Sequence, residues 1–410
     1  MIKTFRLQAN SAIAPCLLCL LLAAQAFTQD FAILDIERVP SEASPKPVLS
    51  VAIDKSNRVL LGGRFTRVGG KPRSGFARLR PDGSLDDSFS PTLQSDEGDV
   101  EVGMVHCFLD GTLLVQGDFS KACGTAVPGL ARIHSDGSLD TAFAKCVVRS
   151  FALTIESLRS VAIDSEGMVY VAGRPAKGTS QAIIRINSQG AIDKTFSTDF
   201  RDHLGDPTHT PGTPIVFDVF CGDQGSVYCD GFYRQIGELP VRPHCPVRLR
   251  VDGRLDAQFS TPKEITRIYS VAPDHSLLVE GEGHSLSLLS PDGKQESKIV
   301  TLPDHSGIEG AVVHDKVLYV YGAAINCRGV KYKGLLCLSL DGTISPGFKP
   351  IRALDSPSDE AGIAALAFCN DGKLLVGGEF TGINGVPRYR LARLNPDGSL
   401  NDSFTPAQID

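Results

Sequence analysis

From Val48 onward the chain alternates short apolar runs with breaks rich in Gly, Asp and Ser. Runs such as LSVAI (49–53), LRSVAI (158–163) and IAALAF (363–368) each precede a second run, most often ending in glycine. The second runs are VLLGGRF (59–65), LLVQGDF (113–119), MVYVAGR (168–174), SVYCDGF (226–232), LLVEGEG (277–283), VLYVYGA (317–323) and LLVGGEF (374–380). Apolar runs of this length bounded by turn residues predict strands. Downstream of each pair sits a turn dipeptide: Asp-Gly at Asp82, Asp136, Asp252, Asp292, Asp341 and Asp397, with Gln189-Gly190 as the seventh instance. Their successive spacings are 54, 53, 63, 40, 49 and 56 residues.

The turns sit inside a longer repeated phrase. FARLRPDGSLDDSF (76–89) and LARLNPDGSLNDSF (391–404) agree at eleven of fourteen positions. In the first copy Pro81 presets φ for a type I turn and Gly83 takes the left-handed position, which predicts a three-residue hairpin loop. That register sets Leu79 opposite Leu85 and Arg78 opposite Asp86. Arg recurs at 78, 132, 185, 248 and 393, facing Asp86, Asp140, Asp193, Asp256 and Asn401, while Leu288/Glu296 and Cys337/Ser345 lose both members together. Paired loss marks a cross-strand strut; as exposed pairs, such struts would contribute about 0.2–1 kcal/mol each.

Each unit therefore reads as four short strands, and a period near fifty with four strands predicts a blade of a β-propeller. One blade cannot bury both faces of its sheet, whereas blades stacked around an axis can. The expectation is an all-β, seven-bladed propeller over residues 48–410. Forty-one Gly, 25 Pro and no Trp fit many tight turns and exclude the Trp-dependent WD40 and kelch patterns.

LLVGGEFTGINGVPRYRLARLNPDGSLNDSF (374–404) resembles the delta-60 repeat, a bacterial β-propeller repeat family of uncharacterised function. The first, second, fourth and seventh units carry most of its motif, the third lacks the Phe after its glycine run, and the fifth and sixth are degenerate. The resemblance implies the fold and supplies no catalytic residues.

At the N-terminus, Lys3 and Arg6 precede CLLCLLLAAQAF (16–27), and Ala24-Gln25-Ala26 offers a cleavage site. This reads as a secretory signal over residues 1–26, followed by a lead-in over 27–47, and it predicts a secreted or periplasmic protein without a membrane anchor. Nine cysteines follow it, an odd number that excludes a complete disulfide framework. Cys123 and Cys146 fall in connections flanking one blade and are the candidate bridge. A net charge of −6 gives no reason to expect a nucleic-acid partner.

Chemistry-bearing motifs are sparse. The sequence contains no G-x-S-x-G, HExxH or P-loop pattern, and it implies no cofactor. His203, Asp206 and His209 in the loop 197–214 are the weak metal candidates, weighed against a solvated, Pro-braced loop. Charge is more informative. The seven loops joining second to third strands hold thirteen Lys/Arg against two acidic residues, while six interblade connections hold fifteen acidic against seven basic. Arg67, Lys71, Arg73, Arg234, Arg328, Lys331, Lys333, Arg388 and Arg390 thus form a candidate anion-binding set, unless Asp96, Glu97, Asp99, Asp202, Asp206, Asp359 and Glu360 neutralise it. The expected role is a monomeric, non-enzymatic binding module for a protein or anionic polysaccharide. A propeller hydrolase or lyase with a channel site, and a structural envelope component, are the competing readings.

Overall fold

The structure is a computed structural model and describes residues 47–96, 98–151, 155–202, 214–302, 307–354 and 362–410. The signal, the lead-in up to residue 46, His203, Asp206 and His209, and Glu97, Asp359 and Glu360 lie outside the described residues. The apolar runs become strands that pair as antiparallel meanders, one per repeat. The first sheet is Val48–Ile53, Val59–Gly63 and Phe76–Leu79; the second is Glu101–Cys107, Leu113–Asp118 and Leu130–Ile133. The third sheet is Ile155–Ile163, Val169–Pro175 and Ile183–Ile186; the fourth is Ile215–Cys221, Val227–Phe232 and Val247–Leu249. The fifth adds a full fourth strand, Glu296–Thr301, to Arg267–Val271, Leu277–Gly281 and Ser285–Leu289. Gly307–His314, Val317–Cys327 and Val330–Ser339 begin the sixth, and Gly362–Phe368, Leu374–Glu379 and Leu391–Leu394 make the seventh.

The expected fourth strand is much shorter in the other sheets. It contracts to single bridges, Leu79 to Leu85, Ile133 to Leu139, Ile186 to Ile192, Leu249 to Leu255 and Leu394 to Leu400, while the sixth sheet adds to its Leu338–Ile344 bridge a short fourth strand, Ile351–Leu354, paired with Gly334 and Leu335. The cause lies in the next residues. Asp86 Oδ1 accepts from Ser88 N and Oγ, and Phe89 N donates to Asp86 O, so the chain turns away at once. The hairpin register is as the repeats predict: Asp86 N donates to Arg78 O, and Gly83 closes its turn with φ of 95°.

After leaving one sheet, the chain lies along the next. Leu93–Gln94 pairs with Lys121–Ala122 of the second repeat, Phe200–Arg201 with Gln235–Ile236 of the fourth, and Ile351–Leu354 with Gly382–Ile383 of the seventh. The segment after the seventh sheet does the same to the first. Thr405 N donates to Asp82 O, Ala407 N to Gly83 O and Asp410 N to Arg67 O, while Val68 bridges Ile409. The core follows suit: Val48, Val51, Leu61 and Leu79 form one buried cluster with Ala365, Leu375, Phe404 and Ile409. Contact there is so close that a Cβ on Gly377 would stand 2.6 Å from Val48 Cγ1.

Two features were not expected from the sequence. The connection after the second sheet forms a helix, Thr141–Phe151, so Cys146 lies on a helix and not in an extended rim loop. Each of the seven first strands carries a one-residue bulge, at Leu49, Gly103, Arg159, Phe217, Tyr269, Glu309 and Ala364. A bulge leaves backbone groups outside the ladder. Serines following two of these bulges serve the next sheet: Ser50 Oγ accepts from Val105 N, and Ser160 Oγ from Val219 N, both at 3.0 Å.

Candidate binding surface

The repeated arginines make a lock between sheets. Arg78 Nε donates to Asp86 Oδ2 at 2.8 Å, its Nη1 reaches Ser135 O at 2.6 Å in the second repeat, and its Cζ stands 4.1 Å from the Phe89 ring centroid. Arg132 repeats this with Asp140, Ser188 O and Phe143; Arg185 with Asp193, Val251 O and Phe196; Arg248 with Asp256, Pro291 O and Phe259. Arg393 lies over Phe404 and donates to Pro81 O, whereas Asn401 bonds Asn395 instead of the guanidinium. The exposed-pair expectation is corrected here, since the Arg78 and Asp86 side chains are only 4% and 8% exposed. Burial opposes ionisation of Asp86, but bonds from Ser88 and Arg78 outweigh it and hold the carboxyl below its usual range.

Most of the basic side chains singled out in the sequence are engaged by neighbouring groups. Lys71 Nζ pairs with Asp87 at 2.5 Å, and Arg73 Nη2 approaches the same carboxylate at 3.6 Å. Arg388 faces Asp402 at 3.8 Å, the equivalent position in the seventh repeat. Arg234 reaches Asp202 at 3.6 Å, joining a basic loop to an acidic connection, as Lys121 and Asp96 do at 2.9 Å. Arg67, Arg328 and Arg390 donate to the carbonyls of Gly70, Gly342 and Ile409. Lys331 is exposed and Lys333 half-buried on the long hairpin of the sixth sheet. Cys123 and Cys146 are both free thiols, Cys123 Sγ lying 3.7 Å from Gly137 O, so the bridge is not formed.

A buried polar seam between the fourth and fifth sheets escaped the sequence reading. Asp218 and Asp230 face each other across neighbouring strands, as do Arg267 and Glu280. Asp230 Oδ2 accepts from Ile268 N at 3.1 Å; Glu280 accepts from Tyr269 Oη at 3.0 Å and meets His284 Nδ1 at 2.8 Å. Burial pushes the Asp230 carboxyl up to about 6, against the opposing pull of Ile268 N–H and the Arg267 charge. The signal was present in the aligned repeats. The residue before the second-run glycine is Gly62, Gln116, Ala172, Asp230, Glu280, Tyr321 and Gly377, acidic only in the fourth and fifth. With Asp218 2%, Asp230 4% and Glu280 7% exposed, the seam joins sheets and offers no open catalytic face. Among the described residues, no group of three or more His, Cys, Asp or Glu is placed to hold a metal.

A β-propeller domain of unknown function, DUF5122, matches at residues 55–89, 109–143 and 369–404. These three stretches contain the lock arginines Arg78, Arg132 and Arg393. No curated protein matches. Among solved structures, the extracellular domain of a protein described as a hybrid two component system, from B. thetaiotaomicron, is 13% identical with a TM-score of 0.48. That likeness covers 85% of this chain, which spans only 41% of the length of that protein. The computationally designed Ika8 protein is 13% identical with a TM-score of 0.45, covering 90% of each chain. YCF48 bound to D1 peptide is 12% identical with a TM-score of 0.43, covering 93% of this chain and 99% of that one. Among the described residues no helix is long and apolar enough to cross a membrane.

Proposed function

We propose that these β-propeller repeats, of delta-60 type, close into one seven-bladed ring over residues 48–410. On this reading the chain is exported behind its signal and serves as a monomeric, non-enzymatic binding module for a protein or an anionic surface glycan. Bonds from Arg393 and from residues 405–410 to the first sheet support closure. The repeated polar constellation joins sheets to one another, which favours a scaffold over a catalyst.

One observation carries the binding role. Of the eight large apolar side chains left exposed among the described residues, Leu239 (45%), Val330 (52%), Val386 (40%) and Tyr389 (54%) lie on or beside the hairpins that bear Arg234, Lys331, Arg388 and Arg390. Apolar and cationic groups presented together suit a protein or polyanion surface. The test is binding of polygalacturonate by the purified protein and by the double reversal Lys331→Glu, Lys333→Glu. Affinity falls with added salt, because screening limits such contacts to about 10 Å at 0.1 M, and falls further with the reversal. Absent or salt-independent binding, unchanged by the reversal, would leave these cations as self-neutralising surface.

A further inference from the structure

Asn384 and Gly385 are the chain's one Asn-Gly pair, and the fold presents both at an exposed turn. Gly382 pairs with Pro387 and Ile383 with Val386, which leaves the two as a hairpin loop with φ of 51° and 85°. Asn followed by Gly suits two left-handed positions in succession. The turn also fastens the seventh repeat to the strand Ile351–Leu354. Asn384 N donates to Arg352 O at 2.9 Å, and Arg352 N donates to Asn384 Oδ1 at 2.8 Å.

These features suit an attack of the backbone on its own side chain, by Gly385 N on Asn384 Cγ. Among the described residues none accepts a hydrogen bond from that nitrogen, and the space around it is open: a Cβ on Gly385 would meet nothing within 4 Å. The Arg352 N–H already sits on Oδ1, the atom that gathers negative charge as the nitrogen adds. Other asparagines lack this set. Asn57 is exposed and left-handed, with φ of 58°, but the next nitrogen, Arg58 N, donates to Asp54 Oδ1 at 3.0 Å. Asn395 precedes Pro396, which has no N–H. We infer that Asn384 is a self-modification site, converting to aspartate and isoaspartate in the folded protein. Gly385 N loses its proton and bonds to Cγ, ammonia leaves, and water opens the cyclic imide at either carbonyl. The aspartate product keeps an acceptor for Arg352 N, whereas isoaspartate lengthens a loop whose length fixes the strand register. Both products add a carboxylate to the hairpin that bears Arg388 and Arg390.

The purified full chain should be incubated at pH 6 and pH 8, beside a peptide of residues 380–390, and mapped by mass spectrometry. Asn384 turns to acid faster at pH 8, because the attacking nitrogen must shed its proton, while Asn57 and Asn401 stay amides. Asn384→Gly copies the Gly69-Gly70 turn of the first repeat, with φ of 57° and 73°, so it folds and shows no such gain. Hydrogen exchange at the residue-384 amide accelerates as isoaspartate accumulates. An Asn384 amide that survives in the folded chain overturns the inference, whether or not the peptide converts, as does equal conversion at Asn57. The effect on binding rests on the reading of this hairpin as part of the binding surface: Asn384→Asp weakens polygalacturonate binding by about threefold, the scale of one surface charge. Conversion at Asn384 in a protein that binds no polygalacturonate would sink that reading and spare the modification.

Discussion

Arg393 in the seventh sheet donates through Nη1 to the backbone carbonyl of Pro81 at 3.0 Å, across 312 residues of sequence. Its counterparts Arg78, Arg132, Arg185 and Arg248 each reach the equivalent carbonyl in the next repeat. In those four repeats one side chain holds three things together: its own hairpin, the Phe that follows it and the neighbouring sheet.

The lock has a charged version and a neutral one, and they predict different costs. Arg78→Met strands Asp86 in a buried site, a loss of about 3 kcal/mol of the kind seen when one partner of a buried pair is removed. Arg393→Met leaves Asn401, which carries no charge, so only a hydrogen bond and the Phe404 contact are lost, about 1 kcal/mol. Urea denaturation of the two variants reads the difference. Equal costs would show that the carboxylate adds nothing to the joint.

Ile409 is fully buried and bridges Val68 of the first repeat. Its truncation to Ala should cost about 3 kcal/mol, as for other large-to-small core changes. Hydrogen exchange at the Gly69 amide, which donates to Gln408 O at 2.7 Å, should accelerate in the same variant. Undiminished stability together with unchanged exchange would mean that the terminal segment does not fasten the two ends.

The thiols should sort by exposure. Cys123 is exposed, Cys146 half-buried, and Cys221, Cys229 and Cys337 are buried, where desolvation raises their thiols above the ordinary range. Maleimide labelling of the native protein, followed by mass spectrometry, should modify Cys123 first and the three buried thiols only after unfolding. If Cys123 and Cys146 resist labelling together until reductant is added, the two are bridged after all.

What the sequence could express was local. The hairpin register was legible because Leu79/Leu85 and Arg78/Asp86 are fixed by a turn of three residues. The far end of each arginine was not, because no local pattern says which carbonyl a neighbouring sheet will bring within reach. The helix after the second sheet has a readable cause in retrospect. Phe89, Phe259 and Phe404 are soon followed by Pro, whereas Phe143 is followed by Ala144-Lys145-Cys146-Val147, and Asp140 Oδ1 accepts from Phe143 N in the first helical turn. Charge segregation between loop sets was legible as a count, but its meaning depended on pairing. Arg234 with Asp202 and Lys121 with Asp96 show cations of one set meeting anions of the other.

The fourth–fifth seam should respond to pH through Asp230. Its carboxyl is raised from 3.8 to about 6 by burial, so the folded state binds this proton more tightly than the unfolded chain. Its stabilising contribution is therefore complete below pH 3.8 and is lost as pH rises through about 6. A backbone bond from Asp218, across the strand pair, and the Arg267 charge on the fifth sheet both favour ionisation without overcoming burial; Glu280 and His284 lie beyond Arg267. Asp230→Asn keeps an acceptor for Ile268 N but never ionises. At pH 8 the variant should exceed the parent by on the order of 2 kcal/mol, and near pH 4 the two should converge. Thermal unfolding across that range checks the sign. A variant less stable at pH 8 would mean that the Arg267 attraction outweighs desolvation and that the carboxylate is the form the seam requires.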